Sequence, residues 1–138
     1  METKSLFQTA VRAAEEHRYF ESERAGHDVG YAAIDEWQQR HWTIWLRHRW
    51  VEHVLGETCW EEFERERFGR LRSLFAATPG LLDEVIAQVR QGAENIDVVC
   101  WAAAERRDMD VVVRILAELR LNEIRCTRAC FAFAQFRP

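Results

Sequence analysis

The sequence predicts an all-α protein: a single globular domain of five or six helices packed around one long, tryptophan-rich central helix. Apolar residues recur at spacings of three and four along most of the 138-residue chain, which is the period of a helix with one buried face. Residue types that begin and end helices fall between these segments. With 48% hydrophobic and 30% charged residues, the composition is that of a globular protein and excludes a disordered chain.

The domain organisation follows from length, because 138 residues are enough for one hydrophobic core. We expect one helical domain over residues 1–138, with a possible subdivision into a helical hairpin (1–56), a helical bundle (57–121) and a C-terminal tail (122–138). In the tail, the alternation of Phe131 and Phe133 is compatible with a strand, a docked extended segment or a frayed helix.

The central helix is predicted over Tyr31–Leu55, which contains four of the six tryptophans. Two apolar stripes run along it, so the helix either has neighbours on both sides or meets another chain on one of them. The first stripe consists of Ile34, Trp37, His41, Ile44, His48, Val51 and Leu55, and the second of Trp42, Leu46, Trp50 and His53.

The helix before it is predicted from Lys4 to Glu23 and ends where Gly26 can take the left-handed conformation. Asp28 is the expected N-cap of the central helix, since a short acidic side chain accepts hydrogen bonds from the first free backbone N–H groups. The inner stripe of this first helix is predicted to comprise Leu6, Ala10, Ala13, His17 and Phe20.

Four more helices are predicted after Gly56. A third helix begins at Thr58, where Glu61 would complete a capping box, and the charged run from Glu61 to Arg67 is expected to form its solvated face. Thr78-Pro79 is the clearest helix start, because threonine is a good N-cap and proline suits the first helical position. Two short helices follow at Asn95–Arg106 and Met109–Leu121.

The segment from Tyr19 to Gly30 carries a motif: an aromatic pair, then S-E-x-x-G-x-D-V-G, with Ala33 and Trp37 in the helix that follows. It resembles a helix–turn–helix segment of uncharacterised bacterial proteins, over residues 19–37 of the chain. The resemblance implies a helical, cytoplasmic, bacterial protein. It implies no function and no functional residues, because the motif is one of turns and caps.

Several functional classes are disfavoured by the composition. The net charge of −4 provides no basic field for nucleic acid, although Arg40, Arg47 and Arg49 interleave with tryptophans in a way that single-strand binding proteins also use. No apolar run approaches the roughly 18 residues of a membrane span, and the N-terminus is not that of a signal peptide. The expected location is the cytoplasm.

The four cysteines are expected to be reduced and structural. Cys59 and Cys100 lie singly in helical patterns, where a thiol behaves as a small buried apolar group. Cys126 and Cys130 form a C-x-x-x-C pair, but a zinc site normally needs four ligands and no second pair is evident.

No motif for a catalytic nucleophile or a phosphate-binding loop is present, so we expect a non-enzymatic protein without a cofactor. The alternative is a helical bundle that binds a transition metal or haem through inward-facing side chains. The histidines and the carboxylate of that alternative lack the Glu-x-x-His repeat of di-metal bundles. They are His17, His41, His48 and Glu52.

The leading hypothesis is an accessory, adaptor or regulatory protein that acts through a protein–protein interface, with a protein partner or with a second copy. Tryptophan and arginine are the residue types enriched at interface hot spots. The predicted contact face on the central helix therefore consists of Trp42, Leu46 and Trp50, flanked by Arg40 and Arg49.

Overall fold

The computed structural model describes residues 2–124. It confirms an all-α fold with six α-helices in this part of the chain, together with one pair of two-residue strands. In chain order the elements are β1 (Thr3–Lys4), α1 (Leu6–Ala25), α2 (Tyr31–Val54), β2 (Cys59–Trp60), a 3₁₀ turn (Arg65–Arg67), α3 (Arg70–Leu74), α4 (Pro79–Arg90), α5 (Asn95–Ala104) and α6 (Met109–Leu119).

Helix α1 begins two residues later than predicted, because Thr3 and Lys4 pair in parallel with β2. The Ser5 side chain caps the helix by accepting a hydrogen bond from the Gln8 N–H. A second cap comes from far along the chain, since the Glu62 carboxylate accepts from the Leu6 N–H at 2.6 Å and from the Ser5 hydroxyl at 3.1 Å. The helix ends at Gly26 in the left-handed conformation, as predicted.

The start of α2 differs from the prediction, because its N-cap is Gly30 and no side chain caps the helix. The carboxylate of Asp28 closes the preceding turn instead, accepting from the Gly30 N–H at 2.9 Å while it pairs with Arg18. At the other end, α2 stops before Gly56, which has a positive φ of 79°. A Cβ at Gly56 would lie 3.2 Å from the Gly69 Cα, so this turn requires glycine for its conformation and has little room for a side chain.

The predicted third helix from Thr58 is wrong, because residues 59–60 are extended and only a 3₁₀ turn and the short α3 follow. Non-local hydrogen bonds favour this path: the Glu61 N–H donates to the Lys4 carbonyl at 2.9 Å, and the Trp60 N–H donates to His53 Nδ1 at 3.1 Å. The predicted solvated face over residues 61–67 is also wrong in part. Glu62 is half-buried in its capping role on α1.

The C-terminal helices agree with the sequence more closely. Helix α4 begins at Pro79 after Thr78, as predicted. Helices α5 and α6 lie where they were expected but end two residues early, at Ala104 and Leu119. Cys59 is buried as predicted, whereas Cys100 is exposed on α5. Cys126, Cys130 and the phenylalanines of the tail lie outside the described residues.

Two hydrophobic cores explain why α2 has two apolar sides. The larger core packs the C-terminal half of α2 against α3–α6, and the smaller one lies between α1 and the N-terminal half of α2. The central helix therefore has neighbours on both sides. The buried members of the smaller core are Ala10, Ala14, Ile34 and Trp37.

We call residues 6–42, which comprise α1, its turn and the first half of α2, the hairpin arm. Helix α1 packs chiefly on α2. Among residues 2–124, no helix combines the length and the apolar composition needed to cross a membrane.

Candidate functional site

Two residues of the predicted contact face are part of the larger core. Leu46 is 5% exposed and Trp50 is 8% exposed, and the Trp50 indole N–H donates to the Leu119 carbonyl at 2.6 Å. Because both side chains hold α2 against α6 and its neighbours, they are not accessible to a partner in this conformation. The sequence placed them on an open face because it does not show which helix covers that side of α2.

A chain of contacting aromatic side chains joins the two cores and consists of Trp37, Trp42, Trp45 and Trp60. Trp42 is part of this aromatic chain, and Arg49 packs against it. Trp42 is half-buried and stacks on Trp45 with ring centroids 5.6 Å apart. The Arg49 guanidinium lies 5.2 Å from the centroid of the Trp45 ring, and it also pairs with Glu52 at 2.9 Å. Of the five predicted contact residues, Arg40 is the one whose side chain is largely exposed, at 72%.

His53 is a structural residue that the sequence pattern placed at the end of the second stripe without a role. Its side chain is fully buried, Nδ1 accepts from the Trp60 N–H, and Nε2 lies 2.8 Å from the Glu64 carbonyl. These partners require the neutral tautomer with hydrogen on Nε2, which donates to Glu64. Burial lowers the pKa of His53 below its ordinary value of 6.5, although the hydrogen bond to Glu64 opposes this effect.

The four predicted metal ligands are divided between different places. His17 and His41 meet across the arm, with ring centroids 5.7 Å apart. His48 lies further along α2, in a groove that it shares with Val89 and Arg90, and Glu52 pairs with Arg49. The structure instead adds Glu36, whose Oε1 is 3.6 Å from His17 Nε2.

The outward face of α1 is the main exposed apolar feature of the arm. Tyr19 and Phe20 are each 61% exposed, and their rings contact edge to face with centroids 5.6 Å apart. The prediction that Phe20 lies on the inner stripe is therefore wrong. This part of α1 lies beside the start of α2, where Tyr31 and Ala32 are themselves exposed and do not cover it.

Charged residues flank these aromatic side chains along the same helix face. At about 100° of rotation per residue, Arg12, Glu16, Tyr19, Phe20 and Glu23 fall within roughly one third of the circumference of α1. All five are exposed. Tyr19 and Glu23 also line an open groove beside the turn, together with Arg18, His27 and Asp28. We call the five-residue set the α1 outer face.

The turn that ends the arm is held by an ion pair. Arg18 Nη2 lies 2.7 Å from Asp28 Oδ2, and Arg18 Nε donates to Asp28 Oδ1 at 3.0 Å. This pairing, helped by the Gly30 N–H, lowers the pKa of Asp28 to about 2. The Tyr31 ring, 6.0 Å from the Arg18 guanidinium carbon, completes the cluster and orients α1 relative to α2.

Compared with models of known protein families, with curated proteins and with solved structures, the chain shows no significant match.

Proposed function

We propose that this is a small non-enzymatic protein that acts through a protein–protein interface, and that the interface is the α1 outer face, on which two copies of the chain pair. The observation that carries the proposal is the exposure of the adjacent Tyr19 and Phe20 side chains, each 61% accessible, on a helix that packs chiefly on one other helix. Exposed aromatic side chains that lie side by side are typical of surfaces that bind another protein.

We therefore assign the contact surface to α1 and not to the predicted face of α2. The physical reason is coverage: α3–α6 bury Leu46 and Trp50, whereas the outward side of α1 has no helix over it among residues 2–124. A second hairpin laid against it would form a four-helix arrangement, in which each two-helix layer covers the other.

The distribution of charge on the α1 outer face favours a second copy as the partner. Arg12 lies at one end of the face, Glu23 lies eleven residues later at the other, and the aromatic pair lies between them. Those eleven residues span about 16 Å of helix. In an antiparallel pair with two-fold symmetry, residue i of one helix meets a residue at the opposite end of its partner. Arg12 of each copy would then lie opposite Glu23 of the other copy.

The aromatic centre of this pairing would supply most of the association free energy. Two tyrosines and two phenylalanines would be removed from water at the two-fold axis, and the charged ends would set the register. Glu16 would lie next to the partner's Tyr19 ring. Such an arrangement is self-complementary, which is the requirement for a two-fold dimer interface.

The test is sedimentation equilibrium of the full chain over about 1 to 100 µM. We expect a concentration-dependent monomer–dimer equilibrium in the wild type. The double variant Tyr19→Ala/Phe20→Ala should weaken association by at least about 2 kcal/mol, roughly thirtyfold, with unchanged helical circular dichroism. The matched control is Ile96→Ala, which removes an equally exposed apolar side chain from α5 and should leave dimerisation intact.

A wild-type chain that remains monomeric over this range would refute self-association. The proposal would be refuted equally by a dimer that the Tyr19→Ala/Phe20→Ala variant forms as well as the wild type does. If Ile96→Ala weakened dimerisation and Tyr19→Ala/Phe20→Ala did not, the interface would lie on α5 and not on α1.

The cellular setting that we propose is the bacterial cytoplasm. Support comes from the resemblance of residues 19–37 to a segment of bacterial proteins, and from the unpaired thiols of Cys59 and Cys100.

A further inference from the structure

We propose that the hairpin arm binds one divalent transition-metal ion between His17 of α1 and His41 of α2, with the Glu36 carboxylate as a third ligand. This site goes beyond the proposed dimer interface. His17 lies on the side of α1 that faces α2, whereas Tyr19 points outward, so either proposal can fail without the other.

The distances fit a shared metal ion. His17 Nε2 and Glu36 Oε1 are 3.6 Å apart. Two ligands of one tetrahedral zinc ion, with bonds of about 2.0–2.2 Å, lie roughly 3.4 Å from each other. The His17 and His41 ring centroids are 5.7 Å apart. Two imidazoles bound to the same zinc ion have centroids roughly 5 Å apart, so a small approach of the two rings is enough.

The state of His17 points to a ligand. Its Nε2 atom is buried and has no hydrogen-bond partner among residues 2–124. Buried polar atoms nearly always have a partner, and one without a partner calls for an explanation such as an ion. A metal ion bound to Nε2 would satisfy this atom and would neutralise part of the Glu36 charge at the same time.

Two side chains have to move to complete the site. In residues 2–124, no group of three or more candidate ligands surrounds a common point closely enough to hold a metal as it stands. His41 is exposed, so its ring can turn toward His17 Nε2 at little cost. Arg40 Nη1 lies 3.7 Å from the Glu36 carboxylate, and this guanidinium, with 72% of its side chain exposed, can swing away when a cation binds.

The ligand set defines the class of metal. Imidazole nitrogens with one carboxylate oxygen suit zinc, copper or nickel, whereas calcium and magnesium prefer oxygen ligands. Water would complete the coordination shell on the exposed side of His41. A metal held between α1 and α2 would link the two helices of the arm and would stabilise the fold in proportion to the free metal concentration.

The test uses the full-length protein, stripped with a chelator and titrated with zinc ion alone. Calorimetry should show one zinc ion per chain, and thermal unfolding should shift upward as zinc is added. His41→Ala should weaken binding by at least about tenfold, and Glu36→Gln by a similar factor. The matched control is His48→Ala, seven residues further along α2 and about 10 Å away, which should bind zinc as the wild type does.

Two further measurements distinguish zinc binding at this site from zinc binding by the cysteine thiols, and loss of a ligand from loss of structure. The double variant Cys126→Ser/Cys130→Ser should retain zinc binding in full, because the tail cysteines are not part of the site. With copper(II) as the probe, electron paramagnetic resonance should show coupling to two imidazole nitrogens in the wild type and to one in His41→Ala. The spectrum reports the ligands directly, so it tests the role of His41 without replacement of the partly buried His17.

Several results would overturn the proposal. These are no zinc binding at concentrations up to about 100 µM, wild-type affinity in His41→Ala, or loss of binding in the tail-cysteine variant. A His48→Ala variant that loses as much affinity as His41→Ala would also contradict it, since the two histidines lie in different parts of the molecule.

Discussion

At the scale of single residues, His53 shows how one buried polar side chain organises the segment that follows α2. Its two ring nitrogens bond to the backbone of Trp60 and Glu64, and its own carbonyl accepts from the Gly69 N–H at 2.9 Å. The ring also lies among Trp50, Phe63 and Phe68. The chain from β2 to α3 is therefore folded around this histidine.

This environment makes stability depend on pH. Burial lowers the pKa of folded His53 below 6.5. Between 6.5 and that lower pKa, the unfolded chain binds a proton that the folded chain does not, so the free energy of unfolding falls as the pH falls. The slope from this one group is at most about 1.4 kcal/mol per pH unit. Urea unfolding at pH 8.0, 6.5 and 5.5 measures how the free energy of unfolding depends on pH.

His53→Gln identifies the source of that slope. The variant should be less stable than the wild type at pH 8 by about 1–3 kcal/mol, because one of the two backbone partners loses its hydrogen bond. It should also show a smaller loss between pH 6.5 and 5.5, since glutamine does not titrate. His27→Gln, in the exposed turn, should keep the wild-type slope. A slope unchanged in His53→Gln would assign the pH dependence to other groups.

At the scale of elements, the start of α1 depends on a residue from another part of the chain. Glu62 places its carboxylate over the first N–H groups of the helix, where the positive end of the helix dipole attracts a negative charge. Ser5 provides the local cap expected of its residue type. The helix is thus capped twice, and only one of these caps is visible in the local sequence.

We expect Glu62→Gln to lower the free energy of unfolding by about 1 kcal/mol, since an uncharged amide replaces the carboxylate that caps the helix. Glu61→Gln is the matched control. The Glu61 side chain is exposed, so loss of its charge should change the free energy of unfolding by less than about 0.5 kcal/mol. Urea unfolding of the two variants at pH 7 measures the difference. Equal stability of both variants would show that the distant cap contributes nothing.

At the scale of the whole molecule, the structure has a bundle around the larger core and a hairpin arm around a small one. The aromatic chain from Trp37 through Trp42 and Trp45 to Trp60 joins the two cores by direct ring contacts. Of the two tryptophans predicted to bind a partner, Trp42 belongs to this aromatic chain, whereas Trp50 packs in the larger core against α6. The outer side of α1 remains exposed, and we propose it as the surface for association.

The proposed antiparallel dimer predicts a specific pattern of affinities for charge-reversal variants. Arg12→Glu and Glu23→Arg should each weaken dimerisation by about threefold to tenfold, because each places like charges opposite one another at both ends of the interface. The double variant Arg12→Glu/Glu23→Arg should recover most of the wild-type affinity, because the opposite charges face each other again. Sedimentation equilibrium at low salt measures all three.

The control for this series is Arg24→Glu, on the same helix but outside the α1 outer face, which should not change association. A double variant as weak as the sum of its two parents would exclude the antiparallel register. It would leave the aromatic pair as a contact in some other arrangement, or as part of the surface for a different partner.

The helical character of the chain and most of the helix ends can be predicted from the local sequence. The all-α class, α2 as the longest element, the end of α1 at Gly26 and the start of α4 at Pro79 all follow from local periodicity and capping. These features depend on residues that are close in sequence. Local patterns are therefore sufficient to predict them.

Which side of α2 is covered, and with it the location of the candidate site, depends on packing between remote parts of the chain. Leu46 and Tyr19 look equally available in a helical pattern, but the first is buried by distant helices and the second is not. The extended path at Cys59–Trp60, the use of Glu62 as a distant cap and the approach of His17 to His41 also depend on contacts between remote residues. Burial and proximity of this kind arise from packing, which a periodicity along one helix does not encode.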